Sequence, residues 1–123
     1  MRHRLALALA TASLYCFSQD TAGKSDCGES QRQANECARK GFAIADRKLN
    51  RMYREVMGRI PPKSKVTLRT DQRRWLKELE PKCDAENGPR ETAGAIWPME
   101  FYNCMATAAS ARTKIVEAWG SKK

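Results

Sequence analysis

The segment "SQRQANECARKGFAIADRKLNRMYREVMGRIPP", Ser30 to Pro62, decides the fold. Its apolar residues recur at Ala38, Phe42, Ala45, Leu49, Met52, Val56 and Ile60, in steps of three and four. That is the period of one face of an α-helix, not the alternation of a half-buried strand. Ser30 with Gln33 reads as a capping box, in which the two side chains satisfy free backbone amides at a helix start. Gly41 costs about 1 kcal/mol relative to alanine and invites a kink or break. Gly58 and Pro61-Pro62 end the helix.

Working outward, Ser64 caps a second expected helix, with Leu68, Trp75, Leu76 and Leu79 on one face. Pro81 stops that helix or forces an irregular last turn, because it lacks the N–H that the ladder needs. Residues 84–97 hold Asn87-Gly88-Pro89 and Gly94, and read as a loop. Pro98, a good first-turn residue, opens a third helix with the stripe Phe101, Met105, Ala108, Ile115 and Trp119. No strand pattern, internal repeat or low-complexity tract interrupts this order. The fold class is all-α: a three-helix antiparallel bundle with a long first helix, held by two disulfides.

The N-terminus sets the compartment. Residues 1–18 combine the basic start Arg2, His3, Arg4 with an apolar run from Leu5 to Phe17, too short to span a bilayer. A cleaved signal peptide is expected, cut after Ser18 in preference to Ala12. Residues 19–29 then form a flexible N-terminal segment, 30–119 the helical domain and 120–123 a tail. Cleavage leaves four cysteines, Cys27, Cys37, Cys83 and Cys104, and no histidine. An even cysteine count in a small exported domain reads as disulfides, and places the protein in the periplasm or outside the cell. The preferred pairing is Cys27–Cys37 and Cys83–Cys104. The second pair joins the end of helix two to the start of helix three if those helices are antiparallel; cross-pairing is the rival.

Several functions are disfavoured. Zinc normally takes paired cysteines or histidines, and there is no Cys-x-x-Cys, so no cofactor or metal is expected. Without histidine, Ser-His-Asp and Cys-His arrangements are absent, and the scattered acids form no recognisable catalytic pair. The expectation is a non-enzyme.

Charge narrows the partners. The formal net charge of +9 falls by two when Arg2 and Arg4 are cleaved away. On a helical wheel Lys40, Arg47, Arg51 and Arg54 lie opposite the apolar stripe of helix one, and Arg69, Arg73 and Lys77 line a flank of helix two. This basic face either keeps the protein soluble or contacts anionic envelope polymers or lipid headgroups. An exported chain has no nucleic acid as its expected partner, and the mature chain holds no transmembrane segment. Arg112 interrupts the apolar stripe of helix three, as Gln72 does in helix two. A buried arginine needs an acidic or carbonyl partner. Two readings stand side by side: an Arg112–Asp46 pair completed by Gln72 or Asn50, or an Arg112 side chain that reaches out to water.

The ordered set Asn35-Glu36-Cys37-Ala38, Ala45-Asp46, Leu49-Asn50, Tyr53, Gln72, Trp75, Cys83, Cys104 and Arg112 resembles the LprI-type lysozyme-inhibitor family of small exported bacterial proteins. The resemblance spans about residues 27–116. It implies a helical, disulfide-bonded envelope domain, and an inhibitor whose partner is lysozyme or another envelope protein. The chain departs from the family pattern at Glu78-Leu79-Glu80-Pro81, where an aromatic-Arg-Asp run is usual, and at Ala109, where threonine is common. Animal lysozymes are generally basic, so contact with one calls for a local acidic patch. Asp84, Glu86 and Glu91 are the candidates.

Overall fold

A computed structural model describes residues 27–121. The expected signal peptide, the flexible segment up to residue 26 and the last two residues of the tail lie outside the described residues. The chain forms α1 (Gln31–Met57), α2 (Pro62–Asn87), a single turn α3 (Arg90–Ala93), a 3-10 turn (Gly94–Ile96) and α4 (Trp97–Ser121). No strand occurs among the described residues. The three long helices are nearly equal, at 27, 26 and 25 residues.

The bundle runs up, down and up. Asn35 near the start of α1 donates to the carbonyl of Ala95, just before α4, at 2.8 Å. At the other end, a Cβ on Gly120 would lie 3.3 Å from Val56 Cγ2. These contacts make α1 and α4 parallel, with α2 antiparallel between them in sequence. α4 packs most extensively on α1, along a seam that includes Ala45, Ala106 and Ala109. Small side chains there let the two helices approach closely.

The α1 stripe is buried or half-buried at all seven predicted positions. Leu49 and Val56 are wholly inaccessible, worth about 2 kcal/mol each in apolar burial. The Ser30 hydroxyl accepts the Gln33 backbone N–H at 3.2 Å and also meets Oε1 of the Gln33 side chain. Gly41 does not break the helix, which continues to Met57.

Four expectations need correction. Ser64 does not cap α2; the helix begins at Pro62, whose fixed φ suits the first turn and whose missing N–H is not needed there. Pro81 does not stop α2, which runs on to Asn87. Continuing the helix buries Leu79 and Cys83 against Trp97, Phe101 and Met105, and this packing outweighs the lost backbone bond. The expected 84–97 loop is therefore mostly helical. Its turns fall at Gly88 (φ +73°) and Gly94 (φ +68°), conformations that L side chains rarely adopt. Leu76 and Ile115 do not face the core; each is about half exposed, and Val116 takes the buried place on α4.

Both preferred disulfides form. Cys27 and Cys37 lie 5.6 Å apart at Cα, and Cys83 and Cys104 5.7 Å. The second clips α2 to α4 inside the lower core cluster. Replacing Cys83 and Cys104 together by alanine should lower stability by about 3 kcal/mol in the chain-entropy account, read from urea unfolding of the oxidised protein.

Candidate functional site

The bundle's polar centre is Arg112, 94% buried on α4. Its Nε donates to Gln72 Oε1 at 2.8 Å and its Nη2 to Asp71 Oδ2 at 2.6 Å. The guanidinium also lies 5.6 Å from the centroid of the Trp75 ring. The expected Arg112–Asp46 pair does not form. Asp46 instead accepts from Asn50 along α1, at 3.3 Å. The antiparallel register of α2 on α4 brings Asp71 and Gln72 across from Arg112, whereas Asp46 stays on its own helix. Asp71 also pairs with Arg74.

The hydrogen bond from Arg112 is the main influence holding the Asp71 carboxyl below its usual range; partial burial opposes it, and the charges of Arg112 and Arg74 reinforce it. A carboxyl with a depressed folded pKa contributes stability that is full above the ordinary carboxylate range and is lost as pH falls through the folded value.

Below this network, α2, α3 and α4 surround an open cleft of about 790 Å³. Glu80, Asp84 and Glu91 line it, and none of them is in an ion pair among the described residues. Its floor is Trp97 stacked on Phe101, with ring centroids 4.6 Å apart, and Tyr102 set edge-on to Phe101. Trp97 Nε1 donates to the Gly88 carbonyl at 3.2 Å, and the Arg90 guanidinium sits 5.0 Å from its ring centroid. The C-terminal end of α2, one turn beyond Asp84, is therefore anchored to the floor by Trp97.

Two of the three acidic candidates, Asp84 and Glu91, thus converge. Glu86 does not. It lies on the other side of α2, 3.9 Å from Lys82 and 3.3 Å from the Cys104 sulfur. Glu80, which sequence reasoning passed over, takes its place. It precedes Asp84 by four residues, the spacing of neighbours on a helix face; that signal was hidden because residues from 84 onward were expected to form a loop.

The basic residues divide between two surfaces. Lys40, Arg47, Arg51 and Arg54 are exposed along α1. Arg69, Arg73 and Lys77 are exposed on α2, where Arg69 and Arg73 border a groove with Asn50 and Tyr53 of α1. No group of three or more His, Cys, Asp or Glu side chains is placed to hold a metal among the described residues. No described helix is long and apolar enough to cross a membrane.

These features define a small helical domain clipped by two disulfides, with charged side chains on open clefts. A family model described as "Lysozyme inhibitor LprI" matches residues 23–115, and the chain belongs to that family. No curated protein and no solved structure matches it.

Arg112→Met should destabilise the fold by about 3 kcal/mol, because it strips Asp71 and Gln72 of their common donor. Asp71→Asn should remove part of the acid sensitivity. The stability gap between wild type and variant should narrow as pH falls from about 5 towards about 2, measured by urea unfolding across that range.

Proposed function

We propose that this protein is an exported inhibitor of lysozyme, and that the cleft between α2, α3 and α4 contacts the enzyme. Membership of an inhibitor family supports the activity. The geometric support is that Glu80, Asp84 and Glu91 line one open cleft and none of them is in an ion pair among the described residues. Residues 1–18 act as the cleaved signal, and the two disulfides suit the oxidising space in which lysozyme meets the cell wall.

The electrostatic problem is that a strongly basic chain approaches a basic enzyme. Screening limits long-range repulsion at physiological salt to about 8 Å. Inside that range local charge decides. The cleft offers three carboxylates, with Arg90 the basic residue in its lining and already engaged with Trp97. Arginine or lysine side chains on the enzyme's surface suit this rim. The aromatic floor is largely covered, with Trp97 and Phe101 both buried, and serves mainly to hold the acidic rim in shape.

The test is a titration of the purified, oxidised protein against several lysozymes, following turnover of cell-wall substrate. Neutralising Glu80, Asp84 and Glu91 together to Gln, Asn and Gln should weaken inhibition by at least tenfold, ~1.4 kcal/mol of binding. Glu86→Gln, on the opposite side of α2, should leave it unchanged. Absence of inhibition at tens of micromolar, roughly 6 kcal/mol of binding, would remove this function.

A further inference from the structure

The groove between α1 and α2 is separate from the acidic cleft. It encloses about 200 Å³ and is lined by Asn50, Tyr53, Arg69, Gln72, Arg73 and Leu76. No carboxylate is among the lining. Arg69 and Arg73 stand one helical turn apart, where side chains are neighbours at about 6 Å. Neither guanidinium is in an ion pair among the described residues.

Gln72 makes this more than a basic patch. It is 95% buried, and its Oε1 accepts from Arg112. Arginine only donates, so the carboxamide cannot turn the other way. Its NH2 end is left with no acceptor among the side-chain hydrogen bonds of the described residues. No fully buried side-chain nitrogen or oxygen lacks a partner there, so this NH2 must be reached by solvent. The groove that Gln72 lines is the available route. Tyr53, which carries a hydroxyl able to donate, lines the opposite wall. Asn50 is turned partly away, since its Nδ2 donates to Asp46.

We infer that the groove binds the phosphate group of a phosphate ester, held between the Arg69 and Arg73 guanidinium groups and hydrogen-bonded by the Gln72 amide and the Tyr53 hydroxyl. The donors approach from two helices. Donors from different directions suit the tetrahedrally arranged oxygens of a phosphate better than the two coplanar oxygens of a carboxylate. Leu76, half exposed at the edge, supplies an apolar wall for the alkyl part of the ester. Arg112 is a positioning residue: it fixes the direction of the Gln72 amide without reaching the ligand.

Inorganic phosphate is the first probe, titrated into isotope-labelled, oxidised protein at constant ionic strength. The Gln72 side-chain NH2 and the Tyr53 backbone amide should shift in a saturable way, and acetate should shift them far less. Replacing Arg69 and Arg73 together by glutamine should weaken phosphate binding by about tenfold or more. Replacing Arg47 and Arg51, on the outer face of α1, should not. Gln72→Glu keeps an acceptor for Arg112 but turns a carboxylate oxygen towards the groove, and should abolish binding; if that variant unfolds, the arginine pair decides alone. Glycerol phosphate in solution and phosphatidylglycerol vesicles then separate the sources, since preference for the vesicles assigns a lipid headgroup and preference for the soluble ester a free or polymeric phosphate. Non-saturable shifts, equal binding of acetate, or equal loss in the Arg47/Arg51 variant would overturn the site.

Discussion

A guanidinium enclosed by three helices has to find its acceptors inside them, and Arg112 finds both on one turn of α2. An unpaired charge at that depth costs more than a small domain can spare. Arg112 therefore does more than fill space. It selects one register of α2 on α4, because only that register presents Asp71 and Gln72 together. The Cys83–Cys104 bond holds the same register some three turns further along α2. Between these two fixed points Trp75 packs on both core clusters and joins them.

With the register fixed, the flank of α2 acquires a polarity that net charge conceals. Arg69, Arg73, Leu76, Glu80 and Asp84 succeed one another at helical spacing. The first two border the α1–α2 groove, and the last two line the acidic cleft. A chain with a large formal positive charge thus keeps a separate acidic surface. The two ends of one helix face present opposite signs, so a basic partner and an anionic one need not compete for the same place.

Much of this was legible in the sequence. The α1 stripe, its serine cap and its glycine-proline end follow from spacing and residue type, because each is a local rule; the disulfides were legible as a preferred pairing between helix ends, with cross-pairing left open until the fold placed the cysteines. The failures share a cause. Asp71 falls three residues after Leu68 and four before Trp75, on the same stripe, yet wheel position alone does not say which neighbouring helix supplies an arginine. Ile115 was expected in the core and Val116 was not, because α4 meets two helices and its wide apolar arc blurs the phase of the pattern. Pro81 was read by its local preference, while burial of Leu79 and Cys83 decided the matter. Reading residues from 84 onward as a loop also hid the partnership of Glu80 with Asp84.

Pro81 leaves a seam in α2. It has no N–H to give the carbonyl of Lys77, one turn earlier, so the backbone ladder has a missing rung between the groove-bearing and cleft-bearing parts of the helix. On either side the helix is fastened to α4 by different means, an ion pair above and a covalent bond below. The acidic rim is therefore held to α4 by its own covalent fastening and does not depend on an unbroken backbone ladder along α2.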